Sequence, residues 1–157
     1  MDDHFALLTR WVSCLGQVAG LDLEFDEQRI CTITYGEDIV LSLMPAEDDE
    51  DGFVIVGRVL DLTMDEAVDD LIVKAALKMN CLGNETHGGA LGLSLYDEAI
   101  LLVHGFSYSG CDEIVLANIV ENLALEIDRL RTLLLEQTGF VRENPSPPSL
   151  PAGAIFV

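Results

Sequence analysis

The apolar residues of this chain pass from helical spacing to β-rich runs and back, twice over, and that order of periods restricts the fold more than any other feature. From Asp3 to Ala19, Phe5, Leu8, Val12, Leu15 and Ala19 form one helical stripe, and Leu7, Trp11, Cys14 and Val18 form a second beside it. Gly20 then stands where a left-handed cap would end the helix. Arg29–Tyr35 and Ile39–Met44 read as strands joined through Gly36, Glu37 and Asp38, an antiparallel hairpin, with Pro45 closing the second. The acidic run Glu47–Asp51 and Gly52 read as a solvated loop before a third strand, Phe53–Leu62. Thr63-Met-Asp-Glu66 has the form of a capping box and predicts a helix to about Met79. Ala90–Tyr96 and Ile100–Phe106 predict a second hairpin turning at Asp97 and Glu98. A last helix follows from near Asp112 to Gly139. The order is helix, three strands, helix, two strands, helix: an α+β domain with helices packed on a mostly antiparallel, twisted sheet.

The first two helices carry more apolar faces than one sheet can cover, and the surplus stripe of the first reads as deep burial or as a ridge that a partner covers. On the second, Val68, Leu71, Ile72, Ala75 and Met79 make one face, while Val73, Ala76, Leu77 and Asn80 make another that a second copy of the chain could cover. On the last, Leu116, Val120, Leu123, Ile127, Leu130 and Leu134 form a heptad-like seam, whose short length favours packing on a sheet over a coiled coil. One domain spans residues 1–139. Residues 140–157, with Pro145, Pro147, Pro148 and Pro151, read as a flexible tail ending in the apolar Ala154–Val157.

Composition narrows the partners. Half of the residues are hydrophobic, yet 28 Asp and Glu against 8 Lys and Arg leave a net charge of −20. A disordered acidic chain would lack the apolar half, and no apolar run is long enough to insert in a membrane. Nucleic acid and anionic lipid would both be repelled, whereas a basic or apolar protein segment would not. Solubility alone is a sufficient reason for the acidity, but apolar surface held in solution by charge commonly marks an interface. Cys14, Cys31, Cys81 and Cys111 show no paired spacing and read as small buried hydrophobes of a reducing compartment. Asp2 and Asp3 stand where an export signal would carry Lys or Arg, so the chain reads as cytoplasmic.

Motifs for chemistry are weak. Gly105-Phe-Ser-Tyr-Ser109 approaches a nucleophile elbow, but its closing glycine comes one place late, at Gly110, so Ser107 and Ser109 read as turn and N-cap residues rather than the nucleophile of a small serine hydrolase. Glu47–Arg58 sets Asp49, Asp51 and Gly52 as a calcium loop would, yet Arg58 occupies the place of the bidentate Glu. His4, His87 and His104 lack metal-ligand spacing. The sequence therefore predicts no metal, no cofactor and no enzymatic activity.

Leu23-Glu-Phe-Asp-Glu27 leading into Ile30-Cys-Thr-Ile33, Leu77-Lys-Met-Asn80, and Thr86 with Gly89–Leu93, together with the closing amphipathic helix, give the chain its family likeness. Over roughly residues 4–138 it resembles the class I chaperones of type III secretion, the Tir-chaperone family. The resemblance implies a homodimer without ATPase activity that binds a non-globular segment near the N-terminus of a secreted effector and keeps it export-competent. It also implies a partner-switching variant, in which the same fold sequesters a secretion regulator. On this reading Val73, Ala76, Leu77 and Asn80 form the dimer seam. Leu7, Trp11, Cys14 and Val18, with Ile33 and Leu41, line the client grooves. The acidic loop and the proline-bearing tail depart from the shared pattern.

Overall fold

The computed structural model describes residues 3–47 and 51–139, apart from the Leu82 side chain. The expected tail and the centre of the acidic loop lie outside the described residues. The elements are α1 (Asp3–Ala19), β1 (Cys31–Tyr35), β2 (Ile39–Pro45), β3 (Gly52–Asp61), α2 (Glu66–Met79), β4 (Ala90–Ser94), β5 (Ala99–Ser107) and α3 (Glu113–Gln137), with one 3-10 turn at Cys81–Gly83. All strand pairs are antiparallel, in the order β1-β2-β3-β5-β4.

Registers such as Ile33↔Leu41, Leu41↔Gly57 and Gly57↔Leu102 put Ile33, Leu41, Leu43, Phe53, Ile55, Ile100 and Leu102 on one face, all buried. Helices cover this face. The six seam residues of α3 are buried there, so the heptad-like pattern serves the sheet and not a coiled coil. α3 can lie this close because β3 has glycine beneath it: a Cβ on Gly57 would stand 2.1 Å from Ile127 Cδ1. Arg131, 8 % exposed, fastens the far end. Its Nε donates to Val59 O at 2.7 Å, where the register of β3 shifts, and its guanidinium meets Asp38 Oδ2 at 2.7 Å.

α1 buries Leu8, Trp11, Val12 and Leu15, a face drawn from both predicted stripes. Trp11 and Phe53 both lean on Tyr108. Gly20, at φ 68°, supplies the expected left-handed cap, and Leu21 N–H closes it on Gly16 O at 2.8 Å. The start of α2 departs from the predicted capping box. Asp65, not Thr63, is the N-cap, its Oδ1 accepting from the N–H groups of Ala67 and Val68. Thr63 is engaged elsewhere, its N–H and hydroxyl both donating to Asp69 Oδ1. A carboxylate is the stronger cap at a helix N-terminus, and the left-handed turn at Met64 (φ 69°) swings Asp65 into place.

Candidate functional site

The sheet ends in two edges that differ chemically. At β1 the chain enters through a turn in which Asp26 binds Ile30 on both sides, Oδ1 accepting the Ile30 N–H at 2.9 Å and Asp26 N–H donating to Ile30 O at 3.0 Å. Beyond Ile30, the hydrogen bonds that reach the main chain of Cys31–Tyr35 from other described elements are those of β2. Among the described residues, the outer side of β1 is open.

At β4 the outer side is occupied. The Asn80 carboxamide, just past the end of α2, donates to Leu91 O and accepts the Leu91 N–H, both at 2.7 Å. Two residues back, Gly89 N–H donates to Thr86 O at 3.0 Å and Gly89 O accepts the Thr86 hydroxyl at 2.6 Å. Thr86 is 1 % exposed.

Grooves open between the helices and the segments beside them. One, of about 540 Å³, runs between α1 at Phe5, Thr9, Ser13 and Gln17 and the segment Leu21–Arg29 that leads into β1. In that segment Leu21, Leu23 and Phe25 alternate with Asp22, Glu24 and Asp26, so apolar and anionic groups share one rim. A second groove, about 370 Å³, lies between α3 and β5, lined by His104, Phe106, Ile119, Leu123 and Glu126. A small one, about 80 Å³, separates α1 from α3 at Cys14, Val18, Ile114 and Ala117.

The residues predicted to bind a client fall into two groups. Val18, 70 % exposed, and the half-buried Cys14 line the α1–α3 groove, and Leu7 is half-buried against the core. Trp11 of α1 and Ile33 and Leu41 of the sheet are buried within the chain itself, because α1 packs inward through Trp11 and the sheet face that carries Ile33 and Leu41 is the covered one. The predicted dimer residues divide similarly. Leu77 is 63 % exposed and Val73 half-buried, whereas Ala76 packs inward and Asn80 is bonded to β4. Leu71, Leu93, Leu95 and Tyr96 add exposed apolar area along α2, β4 and the turn after β4; the last two were predicted to continue the strand. The groove along Leu21–Arg29 was missed, although its alternation of apolar and acidic residues was present in the sequence.

Other expectations need correction. Ser107 closes β5 and its hydroxyl accepts the Ser109 N–H, a turn role, but the N-cap of α3 is Asp112. Cys31 is buried, and burial, then the nearby Asp26 charge, pushes its thiol up; Cys81, predicted buried, is exposed because the 3-10 turn faces solvent. Among the described residues no group of three or more His, Cys, Asp or Glu is placed to hold a metal ion. The charged cluster of the α3–β5 groove is internal: Arg129 bonds both Glu126 and Glu85, and His87 meets Glu126 at 3.2 Å. Burial raises the Glu126 carboxyl, but the Arg129 bonds and charge, helped by His87, outweigh it and hold the group below the usual carboxylate range.

An open strand edge beside amphipathic grooves, with more apolar area exposed on α2, defines a binding module. The chain belongs to the Tir chaperone protein (CesT) family, whose sequence model matches residues 11–131. A comparison with curated protein sequences returns no match. Solved structures share the fold. A chain of the ExsC–ExsE complex superposes with a TM-score of 0.69 at 13 % identity, covering 83 % of this chain and 95 % of that one. The HopA1–SchA chaperone–effector complex gives 0.62 at 14 %, covering 83 % and 98 %. The Yersinia pestis type III secretion chaperone SycH, solved with a fragment of YscM2, gives 0.54 at 20 %, covering 78 % and 98 %.

Proposed function

We propose that the chain is a type III secretion chaperone: a cytoplasmic, non-enzymatic homodimer that binds the non-globular N-terminal segment of a secreted effector and keeps it competent for export. The observation that carries this reading is the open outer side of β1 beside the groove of about 540 Å³. An extended segment laid there gains main-chain hydrogen bonds from β1 and seats alternate side chains against Phe5, Leu21, Leu23 and Phe25. The α1–α3 groove at Cys14 and Val18 takes a further apolar side chain of the same client. A second copy of the chain covers Leu77 and Val73 with their exposed neighbours on α2 and β4. Acidity keeps such surfaces soluble and favours clients with basic residues. Family membership supports the reading, as does the HopA1–SchA structure, a chaperone with its effector on this fold.

The test is co-expression with the effector-coding sequences next to its own, followed by size-exclusion chromatography, mass spectrometry and hydrogen exchange. A dimer carrying one effector, with the amides of Cys31–Tyr35 slowed on binding, is the expected result. A strictly monomeric chain at micromolar concentration, or a bound effector that leaves those amides unchanged, overturns it.

A further inference from the structure

An antiparallel sheet with two bare edges can add a strand at either, and also pairs with copies of itself. Along β4, every second residue turns its N–H and C=O outward. Leu91 is such a residue, since Asn80 reaches both of its groups from the side away from β5. Gly89 stands at the same phase and is satisfied by Thr86. Asn80 therefore acts as a one-residue strand, accepting and donating as a paired peptide would. Only Leu93 is left at that phase within β4, too little for an incoming strand to pair with.

We propose that Asn80 and Thr86 form an edge lock, which makes the sheet univalent by closing β4 to strand addition and leaving β1 as the single edge for a partner. The assignment of the client to β1 rests on the function proposed above; the closure of β4 does not. The lock has a positional logic. α2 carries the apolar surface toward which a second copy is directed, and β4 runs beside it. Without the lock, each copy in a dimer held through α2 would keep an unpaired β4 edge, and pairing of such edges between dimers would carry association beyond the dimer.

The experiment uses the full chain without any client. Asn80→Leu removes both bonds and keeps the same branching with four heavy atoms, Asn80→Asp keeps the acceptor for Leu91 N–H and loses the donor, and Thr86→Val removes one hydroxyl without changing shape. Hydrogen exchange followed by mass spectrometry with residue-level fragmentation reads the Leu91 amide. We expect it to exchange about tenfold faster in Asn80→Leu, and to stay near its original rate in Asn80→Asp. Sedimentation should show Asn80→Leu and Thr86→Val associating beyond the mass of the unaltered protein, with Gly89–Leu93 becoming protected as concentration rises and Cys31–Tyr35 unchanged. If both Asn80 variants accelerate Leu91 and the α3 amides alike, the residue is merely stabilising and the lock is refuted. Unchanged exchange at Leu91 in a folded Asn80→Leu, or no added association in either variant, refutes it as well. Should Asn80→Leu not fold, the Asn80→Asp exchange rate and the Thr86→Val mass decide. Since no effector is present, a failure here is separate from a failure of the chaperone reading.

Discussion

Gly57→Ala tests whether α3 is seated on β3 by the absence of a side chain. The new methyl would lie 2.1 Å from Ile127 Cδ1 and 3.0 Å from Leu41 Cδ2, both on fully buried residues. No left-handed backbone is involved, so the usual gain of replacing glycine, below about 1 kcal/mol, is available and must be exceeded by the clash. Overpacking of a tight core costs about 1–3 kcal/mol, which lowers the melting point of a domain this size by about 3–9 °C. Ile127→Val deletes the clashing Cδ1 and alone costs about 1 kcal/mol. In the double variant the two changes relieve each other, so the loss should fall short of the sum by about 1 kcal/mol. Urea unfolding at one protein concentration, with unchanged m-values, measures all four corners of the cycle. Additive losses, or a neutral Gly57→Ala, would show that α3 does not bear on β3 at this point.

Arg131→Met leaves Val59 O without its donor and should cost about 1–3 kcal/mol in the same assay, mostly from the buried carbonyl, since the Asp38 end of the pair is largely exposed. Leu77→Asp puts a charge into the proposed contact between copies, and sedimentation should then report a monomer with an unaltered circular dichroism spectrum. Glu126→Gln reads the charged cluster. The folded carboxyl lies below its unfolded value of about 4.3, so its stabilisation is complete above that pH and is lost as pH falls through the folded value. The gap in melting temperature between wild type and Glu126→Gln should therefore close on acidification below about pH 4.

Element order and type were legible because each helix and strand has a strong period of its own. The α3 seam is the clearest case, since all six spaced residues are buried. Cap chemistry was less so. Thr63 and Asp65 both suit an N-cap, and the choice depends on Asp69, which engages Thr63 from one turn into the helix. For α1 the periodicity gave two stripes, and the buried face cuts across them, because Trp11 and Leu8 both pack into the core while Val18 stays exposed beside α3.

The binding surfaces were harder to read, for a physical reason. Hydrophobicity marks what leaves water but not what covers it, so Ile33 and Leu41 look like groove residues until the register places them under α3. Sheet edges carry still less signal, since the groups that matter belong to the main chain and are the same for every residue. What the sequence does contain is the side chain that substitutes for a strand. Asn80 sits on the apolar face predicted for dimer contact, a polar residue at an apolar position, and that inconsistency is the trace of its bonds to Leu91. A carboxamide can satisfy both main-chain groups of one residue, so an Asn ending a helix eleven residues before the second position of an edge strand is a readable sign of a closed edge. By the same reasoning the segment Asp26–Tyr35, in which Asp26 satisfies Ile30 and no residue does the same for the outer side beyond it among those described, carries the edge to which the client is proposed to bind.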